Sequence, residues 1–313
     1  MTEKRAKRWL LATGLASLFV PVAAQAAPAP DKIVIAAEHP YPESFTSSRD
    51  GTVYFGGYAT GDIYRATPGS ASATRWIAHD EKAPGLLLGV FADDAGKTLW
   101  ACVSRARDAT TGATVVKAFD LATGALKASY PFPKGEGVCN DIAVGKDGTV
   151  YATDIGGGQV MRLAKGADAF TLWSSGPELA GVDGIALLAD GAVYVNTLFT
   201  GHLLRIGVAK NGSAATPVQL TTSRPLEKPD GMRSAGGDRL LLAEQPGRVS
   251  EIRIVGDKAE VKTIAEGYEE TAAVAQVGKD IYVLEAKLSY MRDPAKAGQD
   301  PGPATAYRIK RTK

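Results

Sequence analysis

The sequence predicts an all-β fold, a six-bladed β-propeller with four antiparallel strands per blade. Three observations carry this. A short phrase returns six times at steps of 41 to 51 residues. The segments between the returns alternate polar and apolar residues with period two, and no window keeps a helical period. A β-rich run near the N-terminus belongs to none of the six units and offers a closing strand.

The chain opens with Lys4, Arg5, Lys7 and Arg8, then an apolar stretch from Trp9 to Val20 stopped by Pro21, then the small-x-small site Ala24-Gln25-Ala26. That order is expected of a cleaved secretory leader over 1–26, leaving one propeller domain over 27–313 and export to the periplasm or beyond. An uncleaved N-terminal anchor is the alternative, although the stretch is short for a bilayer span. Later apolar runs are broken by Gly or charge, so no membrane contact is expected after cleavage. Without the leader, 32 basic and 33 acidic side chains remain, a net charge of −1. The excess of +2 in the whole chain thus belongs to the leader. Nothing in the balance points to nucleic acid, and a monomer is expected. Cys102 and Cys139 are the two cysteines. They fall in consecutive units; a disulfide in an oxidising compartment and two free thiols both fit, and a zinc site does not.

The phrase is a polar residue, a small or apolar pair, a gap, then Asp or Gly and a β-rich run. Its returns start at Glu43, Gly89, Asn140, Asp183, Asp230 and Thr271. In the third unit, strands are expected near 141–145, 149–154, 159–164 and 169–174, with Lys146-Asp147-Gly148 as the first hairpin turn. Ala189-Asp190-Gly191 repeats that turn in the fourth unit. The sixth unit has strands near 271–277, 280–285 and 304–309, with a long polar loop over 289–303. Its missing strand is expected from Lys32-Ile33-Val34-Ile35-Ala36, which would tie both chain ends into one blade and remove exposed edges. Tyr54, Trp100, Tyr151, Tyr194 and Tyr282 recur at one position and are expected in the core between blades.

If the first strand of every unit runs beside a central channel, Glu43, Asn140, Asp183 and Asp230 converge at one mouth. Asp154, Asn196, Glu244 and Glu285, at second-strand ends, are expected as an outer polar ring on the same face. Crowded buried carboxylates repel one another, and a divalent cation relieves this. Four oxygen donors without His or Cys suit a hard ion: calcium first, with magnesium, manganese or zinc as alternatives. The competing reading, an Asp that merely bonds turn N–H groups, fits Asp50, Asp147 and Asp190.

These residues resemble the senescence-marker-protein/gluconolactonase/luciferin-regenerating-enzyme family, six-bladed propellers with one divalent ion in the channel. The resemblance spans about residues 38–310. Pro42-Glu43-Ser44-Phe45 is similar to the family's first-blade Glu-Gly-Pro phrase, Asn140-Asp141 to its Asn-Asp, Asp183-Gly184 to its Asn-Gly, and Pro229-Asp230-Gly231-Met232 to its Pro-Asp-Gly. It implies that Glu43, Asp183 and Asp230 bind the metal. It also implies that Asn140 contacts metal-bound water or substrate, and that Asp230 doubles as general base. Three departures stand out. Asp183 replaces an amide and adds a negative charge. Val138 stands where the sugar-lactone enzymes have Arg. Ser44 and Phe45 replace Gly-Pro. The expected function is an exported metal-dependent hydrolase acting on a lactone or ester. The alternatives are a non-catalytic propeller that binds a protein or cell-envelope ligand and a strictosidine-synthase-like or sugar-dehydrogenase-like propeller. No GxSxG or HExxH is present.

Other polar residues carry less. His39 and His79 could flank the mouth, and His202 sits in a turn. Arg224 and Lys228 could bind a substrate carboxylate, and Glu269-Glu270 could assist the metal; a solvated loop face is the simpler reading of each.

Overall fold

The computed structural model describes residues 29–81, 85–105 and 112–310; the leader expected over 1–26 lies outside the described residues. The regular structure of the described chain is almost all strand, in five sheets. Three are four-stranded antiparallel meanders, beginning at Leu86–Asp93, Cys139–Val144 and Val182–Leu187. A fourth meander, beginning at Pro229–Gly236, gains the short strand Thr221–Thr222 in parallel on its outer edge. This array of four-stranded antiparallel sheets is a propeller-type architecture.

The fifth sheet has eight strands and joins the two ends of the chain. Lys32–Ile35 pairs antiparallel with Thr305–Arg308, matching Ile33 to Ala306. It thereby completes the last unit, as the unassigned N-terminal run predicted. Its other edge pairs in parallel with Ser72–Ile77 of the first unit, which was not predicted. Both edges of this strand are thus occupied, and Ile33 and Ile35 are buried. Among the described residues no long helix interrupts the sheets; the loop over 289–303 holds only the helical turn Ser289–Arg292 and a 3-10 turn. No helix among the described residues is long and apolar enough to cross a membrane.

The inner strands Pro42–Ser47, Leu86–Asp93, Cys139–Val144, Val182–Leu187, Pro229–Gly236 and Thr271–Val277 lie each beside the next, and the last returns to the first. Apolar clusters fill the space between successive units. Tyr54 packs with Val90 and Leu99, Tyr151 with Ile185 and Val193, Tyr194 with Met232 and Leu240, and Tyr282 with Phe45 and Phe55. Each aromatic therefore belongs to a core shared with the following unit, as its recurrence implied. The hairpin aspartates behave as turn residues: Asp147 accepts from the Thr149 N–H and hydroxyl, and Asp190 from the Ala192 N–H. Gly148, at φ 84, takes the left-handed conformation that this turn needs.

Cys102 and Cys139 form a disulfide that closes a separation of 37 residues. It ties the second strand of the second unit to the inner strand of the third, one residue before Asn140.

Candidate metal centre

Every inner strand carries a β-bulge at the same place. The register slips between Pro42 and Ser44, Leu87 and Val90, Cys139 and Ile142, Val182 and Ile185, Pro229 and Met232, and Thr271 and Ala273. A bulge re-aims the extra residue out of the regular pleat. The residues so placed are Glu43, Leu88, Asn140, Asp183, Asp230 and Ala272. The sequence frame put Gly89 and Thr271 at two of these places, and the structure moves each by one residue. Neither Leu88 nor Ala272 has a polar side chain to mark the place, so only the pairing reveals the register. The bulges also explain why the inner strand of the third unit begins at Cys139 rather than at 141.

The residue after each bulged one is small in five units: Ser44, Gly89, Gly184, Gly231 and Ala273. Neighbouring inner strands touch here. A Cβ at Gly184 would lie 2.4 Å from the Asp230 carbonyl, and one at Gly89 2.4 Å from the Asn140 carbonyl. This close approach lets side chains from separate units meet.

They do meet. One carboxylate oxygen each from Glu43, Asp183 and Asp230 lies within 4.8 Å of the others. All three residues are buried, as is Asn140. Asp183 Oδ1 and Asn140 Nδ2 are buried with no protein partner. Burial, then the charges of Asp230 and Asp141, pushes the Glu43 carboxyl well above the usual carboxylate range. Burial, with Asp230, Glu43 and Asp141 behind it, does the same to Asp183. Burial raises Asp230 to about 7, against the lowering pull of the Gln245 side chain, which donates to its Oδ2 across 2.9 Å. Three destabilised carboxylates facing one point, with an orphaned oxygen among them, fit a divalent cation. The donor set is all oxygen, and no His or Cys joins the group among the described residues.

Asp141 is the exception to the small residues beside the bulges, and Arg233 answers it. Arg233 Nη1 donates to Asp141 Oδ2 at 2.6 Å and to the Met232 carbonyl at 2.8 Å; Nη2 donates to Ser44 Oγ and the Val90 carbonyl. One guanidinium thus reaches from the fifth unit to the first, second and third, and so crosses the channel. The sequence reading missed it. The signal was available: Arg233 is the single cation in the six inner strands, and a buried carboxylate requires one.

The expected outer ring is largely absent as such. Asp154 accepts from the Val138 and Gly157 N–H groups, and Glu285 from the Glu269 N–H. Glu244 is held by Arg224, Ser250 and the Glu227 N–H. These carboxylates fasten entry loops, and the same bonds commit Arg224, so it is not a free substrate-binding cation. Only Asn196 reaches toward the centre, donating to the Asp230 carbonyl at 2.7 Å while its own Oδ1 stays unpartnered. The histidines stay out. His39 stacks on Tyr41, His79 bonds Asp62 at 2.9 Å, and the His202 backbone bonds Thr197, its N–H donating to Oγ1 and its carbonyl accepting from the Thr197 N–H.

No protein-family model and no curated protein matches this chain by sequence. Solved structures do resemble it. A gluconolactonase from Xanthomonas campestris aligns at TM-score 0.63 with 14% identity, over 93% of this chain and 99% of its own. A calcium-binding protein, regucalcin, from Agrobacterium tumefaciens aligns at TM-score 0.64 and 15% identity, over 93% and 98%. A luciferin-regenerating enzyme aligns at 0.64 and 16%, over 88% and 92%. The structural neighbours therefore include the proteins that the sequence motifs resembled. At such identities the likeness establishes the fold alone.

Proposed function

We propose that this chain is an exported, six-bladed β-propeller hydrolase that opens lactones or related esters with a divalent ion at its hub. The observation that carries the reading is the meeting of Glu43, Asp183 and Asp230 at three separate bulges. A scaffold has no need of three buried carboxylates at one point, and each is costly without a cation. In this reading the six inner strands are the first strands of six blades, and Lys32–Ile35 closes the ring. The leader over 1–26 directs the chain to the periplasm or medium, where it acts as a monomer on a small molecule. The calcium-binding protein among the structural neighbours favours calcium.

Glu43, Asp183 and Asp230 would hold the ion, with Asn140 beside it to orient water or substrate. When bound, the ion would polarise the carbonyl and stabilise the developing oxyanion. Asp230 takes a proton from the attacking water as the ring opens to a hydroxy acid. Gln245 donates to one of its oxygens and so holds the orientation of the carboxylate. The buried walls exclude bulk water and strengthen each charge interaction.

The test is metal analysis of the purified protein followed by a lactone panel read by pH-stat. A stoichiometric divalent ion and a hydrolysed lactone support the reading. Asp230→Asn that hydrolyses at the wild-type rate removes Asp230 as base, and a protein with no ion affinity removes the centre.

A further inference from the structure

Around the mouth of the carboxylate centre, most basic side chains are already paired. Arg224 is held by Glu244, and Arg248 lies 3.7 Å from both Glu227 and Glu244. Lys287 and Lys296 face Glu269 at 3.9 and 3.5 Å. Arg292 and Lys228 differ: among the described residues, no ion pair involves either.

Arg292 is held in place from several directions. It ends the turn Ser289–Arg292, whose first N–H donates to both carboxylate oxygens of Glu270 at 2.9 Å. Leu288, just before the turn, is buried with Ala272 and Ala286. Ala272 is the bulge residue of the sixth unit, so this packing seats the turn at the rim of the centre. The Arg292 guanidinium lies over the Tyr58 ring, 4.8 Å from its centroid. Its charge acts to lower both Glu43 and Asp230, which puts it within electrostatic reach of the centre. Lys228 stands two residues before Asp230 with φ 45. It lines a cavity of about 710 Å³ together with Gln245, Tyr268, Ser289 and three glutamates, of which Glu227 faces Arg248, Glu269 faces Lys296 and Glu270 accepts from the Ser289 N–H. Gln245 bonds Asp230 and Ser289 opens the turn that carries Arg292, so the cavity touches both flanks, while Arg292 and the three centre carboxylates themselves stand outside its lining.

With a divalent ion seated, much of the carboxylate charge is offset, and Arg292 loses the counter-charge that the acids supply. A flat guanidinium on an aromatic face, with its donors free, suits a carboxylate. We infer that this mouth selects substrates bearing a second carboxylate, remote from the reacting carbonyl, which Arg292 binds over Tyr58 with Lys228 nearby. This inference rests on the hydrolase reading of the same centre, and names its substrate class.

The test compares γ-butyrolactone with the γ-lactone of α-hydroxyglutarate, which differs by one carboxylate. Each takes up one water and yields γ-hydroxybutyrate or α-hydroxyglutarate, and a proton. With calcium-loaded full chain, kcat/KM should favour the carboxylate-bearing lactone. Arg292→Ala should cut that preference about tenfold, mainly through KM, and Arg292→Lys should restore part of it. Calcium affinity of each variant is measured alongside, so that a lost ion is not mistaken for a lost anion site. Equal turnover of the two lactones by the wild type, or the same loss on both in Arg292→Ala, overturns the inference. Should neither lactone be hydrolysed, calorimetry with the two open hydroxy acids decides it separately. Tighter α-hydroxyglutarate binding that depends on Arg292 sustains the anion site while the hydrolase reading fails; equal binding of the two acids ends both.

Discussion

Arg233 and Asp141 meet at 2.6 Å across the channel, although 92 residues separate them in the chain. Asp141 sits directly after Asn140 and faces the same crowded hub as Glu43, Asp183 and Asp230. Its pairing with Arg233 removes one carboxylate from the competition for a cation. It also bolts the fifth unit to three others.

Breaking that pair from one side leaves a buried, uncompensated charge. Arg233→Met should cost about 3–5 kcal/mol in denaturant unfolding, and Asp141→Asn/Arg233→Met should recover a large part of it. A single variant within about 0.5 kcal/mol of wild type would mean that the contact contributes nothing.

The ion should reveal itself through stability. An ion present at a hundredfold excess over its Kd should stabilise the wild type by about 2.7 kcal/mol. Asp183→Ala should abolish that gain. Asp147→Ala, which removes only a turn residue, should keep it. Equal ion-induced shifts in wild type and Asp183→Ala would sink the centre.

Acidity gives an independent check. Burial raises the folded-state pKa of Glu43, Asp183 and Asp230, the last to about 7. The ion-free folded chain therefore holds more protons than the unfolded one. Its stability falls as pH climbs from the ordinary carboxylate range of about 4 towards about 7. With the ion present the sign reverses, because binding needs ionised carboxylates, so the ion-induced gain grows with pH. The comparison of wild type with Asp183→Asn in chelator isolates this contribution. A wild-type Tm that climbs relative to the variant across that window contradicts the buried cluster.

The disulfide closes a separation of 37 residues, and its loss should cost about 4 kcal/mol on the chain-entropy model. Because Cys139 precedes Asn140 and anchors an inner strand, Cys102→Ser/Cys139→Ser should also weaken ion binding. Unchanged melting under reductant would show that the bridge does not form in solution.

Lys32–Ile35 holds the first and last units together through both of its edges. Deleting residues 28–37 should unfold the protein, as read by circular dichroism. A truncated chain with the wild-type Tm would remove this strand from the closure.

The repeat and its strand alternation determined by themselves the class of fold, the closing strand and the three carboxylates, because a regular period places equivalent residues at equivalent heights. Asp50, Asp147 and Asp190 were equally legible as turn residues, since an Asp-Gly turn is a local affair. What only the tertiary structure decided lies between units. The bulges fixed which residue of each strand faces the hub, and moved Gly89 and Thr271 out of that position. Contacts between units selected Arg233 for Asp141 and brought Cys102 to Cys139. Partner choice across such separations follows from which strands are neighbours and how their pleats align, and neither quantity is carried by any short stretch of chain.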